Sequence, residues 1–416
     1  MTPAFRGSAA GAIMATAMES LNMTLLSQCD LGGRGNGGEG LGMVEAGGRR
    51  ILYVAHESAP ANFTAVDVTD PRRPEVVFQL DLPHPRVRSN SLSVWGDLLA
   101  VAYQVAEPGL TPAGLELFDI SVPDHPRSVG FFDTSGPHSR GAHFVWCLED
   151  RAYLSTGMPD FVPRDGRDDQ MVVIVDLSDR AHPEEVGRWW LPGVGVDDEA
   201  APPERHPVFD SGFRAHNVNV YPERPDRAYV GYLDGGVVVL DIGDPERPRL
   251  LSRLDYHPPL PGFTHTVVPL FSRGLLAVTD EATQNRGGDH PKLLWFMDMS
   301  HEPQLAVLGT APLPPLEEYR DRGGRFGAHN IHENDPVPTA WHSDDVVVGA
   351  FFNGGVRAFD VANPFHPREV GYLVPDAPAG SSVGAAQMND VFADDRGILY
   401  ALDRFSGGVY LIEAGW

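Results

Sequence analysis

The residues best placed to do chemistry are histidines that recur at one position in otherwise divergent apolar segments. The segments read RSNSLSV (88–94), RGAHFVW (140–146), FRAHNVNV (213–220), FTHTVVP (263–269), FGAHNIHE (326–333) and AAQMNDVF (385–392). Aligned on the apolar strand that follows each, His143, His216, His265 and His329 are equivalent; Asn90 holds the same place in the earlier segment and Gln387 or Met388 in the last. Neutral imidazole is a good donor to iron, copper, manganese or zinc, and four such donors leave coordination positions open for substrate or dioxygen. The plainer alternative is that each ring hydrogen-bonds water or a neighbouring strand. Four in one register favour a metal, and these four are the expected ligands.

Other groups accompany them. Arginines precede the shared position repeatedly, as Arg88, Arg140, Arg214 and Arg325, and guanidinium forks orient carboxylates well. Arg140 and Arg214 are the candidates for holding a substrate, with pairing to nearby carboxylates as the alternative. Glu281, in TDEATQ, is a candidate proton-transfer group or a hydrogen-bonding partner of a ligand. Asn217, Asn330 and Asn389 follow the shared position and are expected to fix contacts between strands. His332 lies three residues past His329, so on a strand it faces the other way. His125, His182 and His366 sit in turns, and His84, His206, His257 and His290 precede proline.

The elements that must position these residues form a repeat. An apolar strand ends in Asp, a turn rich in Asp and Pro follows, and a further strand comes after it. Copies lie at 63–82, 114–134, 171–191, 236–256, 293–313 and 355–375, and a truncated seventh, GGVYLIEAG, closes the chain at 407–415. Asp caps turn N–H groups and Pro presets φ. With the strands before each phrase, such as LLAVAYQ (98–104) and RAYVGYL (227–233), every unit has four strands, the size of a propeller blade. The last unit lacks its outer strand, and MTLLSQCDLGG (23–33) echoes RLLSRLDY (249–256). The fold class is therefore all-β: a seven-bladed β-propeller closed by an N-terminal strand that completes the last blade. The repeat resembles LVIVD-type propeller repeats over nearly the whole chain, which implies fold and little chemistry. Residues 23–416 read as the single propeller domain, and 1–22 as a disordered or mis-assigned segment, the true start being Met1 or Met23.

Composition narrows the function. A formal net charge of −25, with 57 acidic and 32 basic residues, repels nucleic acid and anionic membranes. Lys292 is the one lysine, and Cys29 and Cys147 are the only cysteines, which suits a reducing cytoplasm. The opening MTPAFRGSAAGAIMATAMES resembles a signal peptide only in outline, so a cytoplasmic location is expected and secretion is the alternative. There is no phosphate loop, nucleophile elbow or zinc-type cysteine pair. Insertions at 158–170, 193–212, 282–291 and 314–326 are expected to form a lid, with Phe161, Phe209 and Tyr319 building an apolar pocket.

Seven blades around four axial histidines resemble the carotenoid cleavage oxygenases in architecture and ligand type, and more distantly the selenium-binding proteins and methanethiol oxidases. The resemblance implies a non-haem metal oxygenase or oxidase of a small organic, possibly anionic, substrate. One divalent transition metal is expected, Fe(II) ahead of Cu, Mn or Zn. Two alternatives stand beside it: a lyase, isomerase or hydrolase using the metal as a Lewis acid, and a non-catalytic propeller that serves as an interaction scaffold.

Overall fold

The turns explain the repeat. The Asp that ends each third strand accepts a hydrogen bond from the backbone N–H two residues on: Asp67 from Thr69, Asp119 from Ser121, Asp176 from Ser178, Asp241 from Gly243, Asp298 from Ser300 and Asp360 from Ala362, all at 2.7–3.0 Å. Each bond satisfies a turn donor locally, so the chain reverses tightly into the outer strand.

A computed structural model describes residues 18–416. The strands pair antiparallel in seven sheets arranged as blades. Blade one comprises Gly37–Ala46, Arg49–His56, Ala61–Asp67 and Glu75–Asp81. Blade three runs Ala142–Leu148, Arg151–Thr156, Met171–Asp176 and Glu184–Trp189, blades four and five follow the same plan, and in blade two the inner edge is split into Val87–Arg88 and Leu92–Trp95. In blade six the innermost segment pairs through isolated bonds, His329 N–H to Ala350 O and Ala350 N–H to Asn330 O. Among the described residues, helix is confined to single turns at Leu316–Tyr319 and Phe271–Arg273.

Closure occurs where the sequence placed it. Met23–Cys29 is the outer strand of blade seven, with Met23 opposite Ala414 and Cys29 opposite Val409. Of the segment 1–22, residues 1–17 lie outside the described residues. Glu19–Leu21 forms a strand on Arg368–Val374, adding an outer edge to blade six.

Val, Leu and Ile of the middle strands are almost wholly buried between blades, as at Val172, Val173 and Ile174. Arginine forks close the outer seams: Arg49 reaches Asp124 at 2.9 Å, Arg180 reaches Asp97 at 2.8 Å and Arg273 reaches Asp345 at 2.6 Å. Arginine thus bridges neighbouring blades at these seams.

Removing the closing strand tests this arrangement. A chain beginning at Met23 keeps that strand and is expected to melt within a few degrees of the full chain. A chain beginning at Asp30 leaves Val409–Ala414 as an open edge and is expected to aggregate or melt at least about 10 °C lower. Equal melting curves by differential scanning calorimetry would refute the role assigned to closure.

Candidate metal centre

The histidines reach the axis because the innermost strands bulge there. Ala142 pairs with Thr156 and Phe144 with Ser155, which leaves His143 extra. The same slip isolates His265 between Thr264 and Thr266. A bulge re-aims a side chain that strict alternation would send elsewhere. In blade seven the extra residue is Asn389, not Gln387 or Met388. Gln387 instead accepts from Arg325 N–H at 2.8 Å, and Met388 is core.

The four imidazoles form an arc of contacts. Their ring centroids lie 4.3 Å apart for His143–His216, 3.9 Å for His216–His265 and 4.5 Å for His265–His329. Each Nδ1 faces an acceptor: Gln104 Oε1 at 3.1 Å from His143, Asn217 Oδ1 at 2.9 Å from His216, Thr266 Oγ1 at 2.7 Å from His265 and Asn389 O at 2.5 Å from His329. This assigns the ring proton to Nδ1 and turns the Nε2 lone pairs inward. The Nε2 atoms of His143 and His216 stand 2.7 Å apart. Those of His265 and His329 are buried with no hydrogen-bond partner.

Glu39 completes the ring from blade one, and the sequence reading missed it. Its Oε2 lies 3.7 Å from His143 Nε2, 4.0 Å from His216 and 3.5 Å from His265, and its Oε1 lies 3.7 Å from His329. Its strand slips between Gly37 and Leu41, so alternation again gives the wrong face. The available signal was the run Gly37-Gly38-Glu39-Gly40. A Cβ on Gly40 would sit 2.4 Å from Leu92 N and one on Gly38 2.6 Å from Asn90 O, so only glycine lets this strand pass so close to blade two.

Glu281 stands with Oε1 3.6 Å from His329 Nε2 and 2.7 Å from Arg325. The donor atoms fall into three overlapping groups, Glu39–His265–His329, Glu39–His143–His216 and His216–His265–Glu281, each within 4.8 Å. Such nitrogen and carboxylate groups can hold a divalent transition metal.

Electrostatics favour a cation here. Burial drives His143 well below the imidazole range and brings His216 and His329 to about 3, keeping the rings neutral. Burial would also raise Glu39, yet the imidazoles around it hold it well below the carboxylate range. Protons cannot meet both demands, because the charge that stabilises Glu39 is the charge burial removes from the rings. A metal ion on the Nε2 lone pairs meets both.

Arg140 is forked onto Asp169 at 2.6 and 3.0 Å, and Arg214 reaches the same carboxylate at 3.5 Å. Arg88 and Arg404 stand closer to the donors, 3.4 Å from His143 Nδ1 and 3.7 Å from Glu39 Oε1. His332 binds Trp341 O at 2.6 Å and accepts from Ala393 N–H at 3.2 Å, away from the site. The insertions reach the channel through Asp169 and Arg325. Their aromatics hold neighbouring elements instead of roofing the centre, Phe161 against Trp190 and Tyr319 stacked on Phe326.

Beyond the ring, Glu333, Asp335 and Asp390 line a narrow hollow with Glu39. Burial pushes Asp335 up to about 7 and Asp390 to about 8, and Glu333 well above the carboxylate range. The folded protein thus keeps a proton on Asp390 that the unfolded chain releases above about pH 4, and this group's contribution to stability is lost as pH rises towards 8. Asp390→Asn is therefore expected to raise the melting temperature more at pH 8 than at pH 5. An equal effect at both values would show that Asp390 is already ionised in the fold at pH 5.

Comparison with known proteins agrees with the architecture. The model of the LVIVD repeat matches residues 167–190 and 215–255. No curated protein sequence matches the chain. The β-propeller domain of Cps50 (Swd1) from Myceliophteria thermophila is similar with a TM-score of 0.52 at 14% identity, over 89% of this chain and 98% of that one. A protein from Lactobacillus plantarum gives a TM-score of 0.51 at 13% identity, over 78% and 80% of the two chains. At such identity the likeness speaks to fold alone. Among the described residues no helix is long and apolar enough to cross a membrane. The chain is a seven-bladed β-propeller that carries LVIVD repeats.

Proposed function

We propose that the protein is a metal-dependent enzyme, a non-haem oxidase or oxygenase that acts on a small organic molecule with dioxygen as oxidant. The observation that carries this reading is the inward convergence of the Nε2 atoms of His143, His216, His265 and His329, each ring fixed through Nδ1, with Glu39 among them. One divalent transition metal, Fe(II) ahead of Cu, Mn or Zn, would supply redox chemistry and bind oxygen. The chain's own groups do the rest. The imidazoles and Glu39 hold the ion, Glu281 and Arg325 set the charge beside His329, and Arg140 and Arg214 add positive field at the mouth. Unpaired Cys29 and Cys147 suit a reducing, cytoplasmic setting.

A hydrolase or isomerase would need a free base. Glu281 is a poor one: its carboxylate is ion-paired to Arg325 at 2.7 Å, which offsets the effect of burial and holds it below the usual carboxylate range. This favours redox chemistry over proton transfer.

Metal content of untagged protein is the direct test, by plasma mass spectrometry beside a variant with all four histidines changed to alanine. About one equivalent of iron or copper, lost in the variant, with dioxygen uptake on a turned-over substrate, is the expected result. Zinc without oxygen uptake would transfer the site to Lewis-acid chemistry, and no metal after reconstitution would end the enzyme reading. Separately, Glu39→Gln is expected to weaken metal retention at least about 10-fold while the fold is kept. Unchanged retention against a chelator would remove Glu39 from the ligand set.

A further inference from the structure

The mouth of the channel holds an arrangement that the metal does not require. Glu57 follows the second strand of blade one, and its Oε1 accepts from Arg88 Nη1 at 2.6 Å and from Arg404 Nη2 at 2.5 Å. Its Oε2 is buried and has no hydrogen-bond partner. A carboxylate between two guanidinium forks ordinarily uses both oxygens; here one oxygen carries both arginines.

Each arginine also touches the metal donors or their supports. Arg88 donates to Gln104 Oε1 at 2.6 and 2.9 Å, and Gln104 is the acceptor for His143. Arg404 donates to Asn389 Oδ1 at 3.1 Å and lies 3.7 Å from Glu39.

Two cavities meet here. One of about 1280 Å³ is lined by Arg404 and Glu57, and one of about 250 Å³ by Arg88, Gln104 and Glu57; Ser58 is common to both. The smaller is walled by Ala59, Val87, Val105 and Ala106, and lies below the ~300–1,000 Å³ of drug-sized sites. Charge points the same way. Arg88, Arg140, Arg214, Arg325 and Arg404 face Glu39, Glu57, Glu281 and Asp169. This cationic excess sits in a protein of net charge −25, and a divalent ion would increase it. Fields of that kind concentrate small anions at a cleft.

We infer that Arg88 and Arg404 form the anion subsite of this centre and take the carboxylate of a small apolar monocarboxylic acid, which displaces Glu57 from between them and lays its apolar part in the smaller cavity. The inference rests on the metal reading for its catalytic meaning, but the subsite itself is built without a metal. Glu57 leaves its Oε2 unpaired while its Oε1 carries both arginines, so Glu57 is a replaceable partner. Arg140 and Arg214 are held by Asp169, and Arg140 also lines the smaller cavity, where it adds positive field.

The test is calorimetric titration of the full-length protein, metal-loaded and metal-free, with acetate, cyclohexanecarboxylate and benzoate, and with benzamide as the uncharged counterpart. Benzoate or cyclohexanecarboxylate is expected to bind at least about 10-fold more tightly than benzamide, since charge-assisted fork contacts are lost with the amide. Arg88→Gln and Arg404→Gln should each weaken carboxylate binding at least about 10-fold. Glu57→Gln, which removes the competing charge and keeps the shape, should strengthen it. If an arginine variant does not fold, Arg404→Lys and Glu57→Gln carry the comparison. Carboxylates no tighter than benzamide, or binding unmoved by both the arginine and Glu57 changes, would overturn the subsite. Carboxylate binding in a protein that takes up no metal would keep the subsite and end the metal reading.

Discussion

Everything at the axis depends on one backbone ladder, the pairing of Met23–Cys29 with Val409–Ala414. A propeller has a channel only if its ring closes, and this ladder joins the two regions of the chain most distant in sequence. Closure also covers an edge that would otherwise be a template for aggregation. The entropy of bringing such distant segments together grows only slowly with their separation. The burial gathered along the blade faces can therefore offset it.

Closure sets the second constraint, which is electrostatic. It confines six metal-donor candidates and the arginines around them to a space with little water. In that setting each ionisable group must find a partner or give up its charge. Arginine answers this at the mouth, where Glu57, Glu281 and Asp169 are paired. At the opposite end, Glu333, Asp335 and Asp390 keep protons instead. Between the two, Glu39 faces four imidazoles, and burial keeps His143, His216 and His329 neutral. A bound cation is the simplest physical solution.

The bulges connect these two levels. Each costs a ladder position, yet each turns a side chain onto the axis that regular alternation would bury between blades. His143, His265 and Asn389 stand at such slips, and Glu39 lies within a longer one flanked by glycines. Regularity given up where the innermost strands meet the axis is consistent with a site in the channel, although Val218–Tyr221 slips again between Asn219 and Tyr221.

The repeat of Asp-capped turns and apolar strands determined the architecture, because those signals are local: a turn caps its own N–H groups and a strand buries its own side chains wherever the blade sits. The shared register of His143, His216, His265 and His329 was legible for the same reason, since each histidine sits in a short apolar segment of its own, as in GAHFVW and GAHNIHE. Glu39 and the replacement of Gln387 by Asn389 were not read from the sequence, because a bulge displaces the register; at Glu39 the flanking glycines were the one mark it left. The pairing of Glu57 with Arg88 and Arg404, and of Arg140 and Arg214 with Asp169, belongs to the tertiary structure alone. Glu57, Arg88 and Arg404 come from three blades, and Asp169 gathers Arg140 of its own blade and Arg214 of the next, so only the closed ring decides which charges meet.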